Sequence, residues 1–97
     1  MPASPPSDVT SPGVDWVPIT LSGDNVDLLS TSGPTGGIIA RSLYITVAGN
    51  VVFETLGGGA GVSRTVTVPA NFYLSAYITK IYSAGNGTTA TGVFAIL

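Results

Sequence analysis

Ninety-seven residues with 8% charged side chains and a net charge of −2 fit a single domain that has few ions to place on its surface. Three scattered cations, Arg41, Arg64 and Lys80, cannot neutralise a run of phosphates or form a polybasic patch, so neither nucleic acid nor an anionic membrane is an expected partner. Cysteine and histidine are absent, which removes the thiolate nucleophile, the commonest general base and most transition-metal ligands, so no enzyme, cofactor or metal centre is expected.

Ordinary soluble domains carry roughly 25% charged residues. Here 44% of the chain is hydrophobic and mean hydropathy is +0.49. A chain so poor in charge is expected to hide surface in a homo-oligomer or a larger assembly.

Met1 to Gly13, MPASPPSDVTSPG, holds four of the seven prolines. Proline fixes φ and removes an amide donor, so no helix or central strand is expected there. Composition alone reads this stretch, outside a β-domain of residues 14–97, as a disordered tail. The context of an assembly raises the sharper reading, an extended arm. As an arm it would order against a neighbouring subunit or a larger surface, with Pro5, Pro6 and Asp8 as candidate contacts. The start MPASPPS lacks the basic and apolar regions of a secretory signal, and no apolar run approaches the ~20 residues that span a bilayer. The expectation is a chain made in a cytoplasm and not addressed to a membrane.

Val14 to Leu21 begins the folded part, and Pro18 confines it to a sheet edge. Trp16 is expected to cover one end of the core or to offer an aromatic contact. Ser22 to Asn25 reads as a turn and Val26 to Leu29 as a short strand. Asp24, Asn25 and Asp27 could offer oxygens to a calcium ion, but they lack the EF-hand pattern, and an Asx-type turn is the favoured reading. Ser30 to Gly37 is a loop of breakers.

The segment Arg41 to Thr55, RSLYITVAGNVVFET, alternates with period two on both sides of Ala48-Gly49-Asn50. It reads as a hairpin. A three-residue loop sets Val51 opposite Val47 and Phe53 opposite Ile45, with Tyr44 facing Glu54 on the other side. The glycine run from Gly57 to Gly61 lacks the Lys-Ser/Thr of a phosphate loop and reads as a hairpin connection. Ser63 to Val68 alternates again. Phe72 to Tyr82, FYLSAYITKIY, reads as one strand after a Pro69-Ala70-Asn71 turn, its β-branched and aromatic content outweighing a competing helical period. Tyr73 and Tyr77 share its outer face and join Tyr44 and Trp16 as candidate assembly residues. Gly92 to Leu97 is an apolar strand best placed inside a sheet. Six to eight short strands at this spacing imply a small antiparallel sandwich, jelly roll or barrel.

Three stretches carry a resemblance: Arg41-Ser-Leu-Tyr-Ile-Thr-Val-Ala-Gly-Asn-Val, Thr67-Val-Pro-Ala-Asn, and Ile78-Thr-Lys-Ile-Tyr-Ser-Ala-Gly-Asn-Gly-Thr-Thr-Ala. In order and spacing, residues 38 to 97 are similar to the small spike-base proteins of tailed phages and gene transfer agents. Asn71 departs from that pattern, where a glycine follows Val-Pro-Ala, and the Gly57 to Gly61 run is longer than usual. The resemblance implies a non-enzymatic virion component on the capsid surface, built as a homo-oligomeric ring at a vertex. Its expected partners are the major capsid protein, copies of itself (five favoured, three second) and a fibre or spike protein. A trimeric head-decoration protein is the nearest alternative. A small carbohydrate-binding module using Trp16 and the tyrosines is the alternative of another class.

Overall fold

A computed structural model describes residues 15–97 of the chain. The expected arm, with Pro5, Pro6 and Asp8, lies outside the described residues. Eight strands follow in order: β1 (Trp16–Ile19), β2 (Val26–Asp27), β3 (Ser42–Val47), β4 (Gly49–Thr55), β5 (Ser63–Val68), β6 (Phe72–Leu74), β7 (Ile78–Ile81) and β8 (Thr91–Ile96). They form two four-stranded antiparallel sheets, ordered β1-β8-β3-β6 and β2-β7-β4-β5. The pairings are nested: β4 with β5, β3 with β6, β2 with β7 and β1 with β8. A long double ribbon rolled up in this way is the winding of a jelly roll.

Alternation places the core. From the first sheet Ile19, Leu43, Ile45, Val93 and Ala95 point inward, and from the second Val51, Phe53, Val68, Ile78 and Ile81. Burying each of the larger aliphatic side chains stabilises the fold by about 1.5–3 kcal/mol. The edge position expected for Pro18 is found, since β1 flanks the first sheet and pairs only with β8. The C-terminal strand lies inside that sheet, between β1 and β3. The glycine run joins β4 to β5, the one pair of consecutive strands that form a hairpin.

Two expectations are corrected. Residues 41–55 do not fold back as a hairpin: β3 pairs with β6 and β8, while β4 pairs with β5 and β7 in the other sheet. The chain changes sheets at Ala48. The inward faces are as expected, with Leu43, Ile45, Val51 and Phe53 all buried, but Val47 is 52% exposed and pairs with Thr91. Tyr44 and Glu54 therefore lie on the outer faces of different sheets. Gly49 belongs at this corner because of close approach, as a Cβ there would stand 2.6 Å from the Ala90 nitrogen.

Phe72 to Tyr82 is likewise two strands in two sheets, β6 and β7, joined across Ser75 to Tyr77. Within β7 a bulge interrupts the register: Glu54 pairs with Lys80, but Thr55 pairs with Ile78, leaving Thr79 extra. One extra residue reverses the side-chain parity. Ile78 and Ile81, on opposite faces of a regular strand, are consequently both fully buried.

Candidate interaction surface

The outward positions of the first sheet bring aromatic residues together. Because β1, β8, β3 and β6 are neighbours, Pro18 pairs with Phe94, Phe94 with Tyr44, and Tyr44 with Tyr73. Trp16 joins them from the start of β1. Its ring centroid lies 5.4 Å from that of Tyr44, 5.9 Å from Tyr73 and 6.4 Å from Phe94, and Tyr44 and Tyr73 are 4.7 Å apart. The Trp16–Tyr73 contact is edge-to-face at 83°, and the others are tilted between 42° and 49°. Such pairs stabilise by about 0.5–1.5 kcal/mol beyond their buried area, so the cluster holds its own shape. Yet it is not a core, since Trp16 remains 44% and Tyr73 50% exposed.

The turn before β6 fastens the cluster. Asn71 adopts a left-handed backbone, φ 56°, a conformation that asparagine tolerates better than most side chains. Its Oδ1 accepts a hydrogen bond from the Tyr44 hydroxyl at 3.1 Å. Three of the expected assembly residues, Trp16, Tyr44 and Tyr73, are thus brought into one patch, and Phe94 is a member that the sequence reading missed. Its signal was position: an aromatic at an outward parity of a central strand. Tyr77 is exposed on the crossover between β6 and β7.

The outer face of the second sheet is different. A groove of about 490 Å³ runs between the β4–β5 loop and β7, lined by Leu29, Glu54, Leu56, Lys80 and Tyr82 among others. Glu54 is buried there. Its carboxylate accepts hydrogen bonds from the Tyr82 hydroxyl at 2.6 Å and from the Gly61 amide at 3.0 Å. The Tyr82 hydroxyl, then the Gly61 amide, hold the Glu54 carboxyl below its usual range; burial opposes them and Lys80 assists. The same bond to Glu54 raises the Tyr82 phenol. The Lys80 ammonium lies 5.4 Å from the Tyr82 ring centroid, within cation–π range. The Glu54 carboxylate is taken by the Tyr82 hydroxyl and the Gly61 amide, and its clearest effect is to fasten the glycine-rich loop to β4.

Side chains of the turn after β1 hydrogen-bond to nearby backbone and side chains. Asp27 accepts the Leu29 amide at 2.9 Å in an Asx turn, and Asn25 Oδ1 accepts the Ser83 amide at 2.8 Å and the Asn86 side chain at 2.9 Å. Among the described residues no three acidic side chains gather as a metal site would require.

Asn50, Thr67 and the Thr89-Ala90 stretch converge on one corner. The Asn50 amide donates to the Thr89 hydroxyl at 2.8 Å, and the Thr89 and Ala90 amides donate to the Asn50 carbonyl at 2.9 and 3.1 Å. Thr67 donates to Asn50 Oδ1 at 2.7 Å. These small residues hold the corner where the chain leaves the first sheet to form β4. Comparison with protein-family models, with curated proteins and with solved structures gave no match.

Proposed function

We propose that this chain is a non-enzymatic virion structural protein, a capsid-attached base for a spike or fibre that assembles as a homo-oligomeric ring. The observation that carries the reading is the outward aromatic patch of Trp16, Tyr44, Tyr73 and Phe94 on a chain in which only 8% of residues are charged. A lone molecule would leave that patch in water, and assembly would cover it. The resemblance of residues 38–97 to spike-base proteins supplies the particular assembly. Two structural details agree with that likeness: Asn71 has the left-handed backbone suited to the family's glycine, and the Ala48-Gly49-Asn50 and Thr88-Thr89-Ala90 stretches meet at one corner. Jelly rolls are also found in viral capsid domains, although fold alone does not fix function.

The carbohydrate-binding alternative draws on the same Trp16 but fits the ring geometry less well. Sugar stacking needs an open ring face, and here the rings turn edges and faces toward each other at 42° to 83°. Electron microscopy of particles produced with and without the gene tests the proposal. Density for a ring of this domain on the capsid, lost when the gene is deleted, is the expected result. Particles unchanged by the deletion would overturn it. Light scattering of the purified chain is expected to give a multiple of 9.7 kDa.

A further inference from the structure

The aromatic patch has a partner of stated chemistry within the same sequence. We infer that the proline-rich arm of one copy docks on the Trp16–Tyr44–Tyr73 patch of the next, linking the ring by exchanged arms. The inference rests on the assembly proposed above and names the surface through which it occurs.

Proline-rich segments favour the polyproline II helix, in which the backbone carbonyls have no internal partners and prolines three apart share a face. Pro2-Ala3-Ser4-Pro5 has that spacing, and Pro6 follows directly. At three residues per turn, Pro2 and Pro5 stand about 9 Å apart on one side of such a helix. The three ring centroids of the patch lie within 5.9 Å of each other, a span that seats one proline of such a pair among the rings and leaves the next at the margin of the patch. Because the rings are tilted, they form notches between edges and faces, which suit a pyrrolidine ring better than a flat sugar. Donors are also at hand. Neither the Trp16 indole N–H nor the Tyr73 hydroxyl is taken by another described residue, and both side chains are well exposed. Recognition of polyproline II helices by aromatic grooves combines these same elements, stacked prolines and donors to exposed carbonyls.

The start of the described chain favours exchange over self-docking. The Asp15 carbonyl accepts the Leu97 amide at 2.9 Å, which extends the β1–β8 pairing to the end of the sheet. The described chain therefore starts at that end of the sheet, and an arm docked on its own patch would have to reverse direction beside Trp16. The next copy's patch needs no such reversal.

Trp16 is the only tryptophan, so its emission reports the patch in the full-length protein. Raising the concentration through the assembly transition seen by light scattering is expected to shift that emission to shorter wavelength. A variant with Pro2→Ala, Pro5→Ala and Pro6→Ala, and separately Tyr73→Ala, should each raise the concentration of half-assembly at least tenfold. Mixing the two variants should restore part of the shift, since intact arms then meet intact patches. A shift that survives the triple substitution with its concentration of half-assembly unchanged overturns the inference. So does a proline-dependent shift that is independent of concentration, which would place the arm on its own patch. If the triple variant still forms rings and still decorates particles, the docking fails while the virion reading stands. If no variant assembles and no particle carries the wild-type chain, both fail.

Discussion

Phe53 and Tyr44 show how differently two aromatic residues of consecutive strands are used. Phe53 points between the sheets and is 4% exposed, so Phe53→Ala should cost roughly 3–5 kcal/mol in chemical denaturation. Tyr44 lies outward among rings and holds Asn71. Tyr44→Ala is expected to cost less and to act mainly on association, read by comparing denaturation midpoints with light scattering. Glu54 and Tyr82 form the other informative pair. A carboxyl whose folded value is lowered stabilises above its ordinary value, 4.5, and that support is lost as pH falls through the folded value. A phenol raised in the folded state stabilises below its ordinary value, 10.0, and that support is lost as pH rises through the folded value. The bond therefore helps most between these limits. Tyr82→Phe removes the largest cause of the Glu54 depression, so the acid limb of a plot of Tm against pH should move to higher pH. An unmoved limb would mean that the Gly61 amide alone sets the Glu54 value.

At the scale of the strand, alternation tells which way a side chain points and says nothing about which strand lies beside it. Leu43, Ile45, Val51 and Phe53 were correctly read as inward for that reason, while the 41–55 hairpin was wrong. In a rolled ribbon nearly every consecutive pair changes sheets, and only β4 and β5, across the glycine run, obey the local rule. The Thr79 bulge was equally hidden, because it depends on the pairing of Thr55 with Ile78 and not on composition. The edge strand with Pro18 and the inner place of β8 were legible because proline and apolar runs constrain a strand regardless of partner. The aromatic patch was legible as residues, Trp16, Tyr44 and Tyr73, and only the sheet order gathered them. One contact tests the loop that replaces β7 beside β4. Thr88 is buried and its hydroxyl accepts the Val52 amide at 3.0 Å. Thr88→Val keeps the shape and strands that amide, at a cost of about 1–3 kcal/mol. Thr89→Val should cost less, since the Asn50 amide that Thr89 receives is exposed and water can replace it. Equal losses in thermal denaturation would show that the corner acts as one rigid unit.

For the whole molecule the balance lies between a closed core and an open face. The described core draws on residues from Val17 onward, and the eight described strands all follow Asp15. Removing residues 2–13 should therefore leave Tm within a degree or two of the full chain, because no described core position is lost. What the truncation removes is the proline-rich segment itself. Proline lowers the entropy lost when an arm is ordered and limits stray strand pairing, which suits a docking segment. A chain with three cations and five anions has few charges with which to fasten itself to a capsid. The truncated domain is thus expected to fold and to fail at incorporation, with occupancy on particles falling sharply when quantified against the capsid protein. Full occupancy by the truncated chain would assign attachment to the loops between strands, with the glycine-rich connection of β4 to β5 the first to examine.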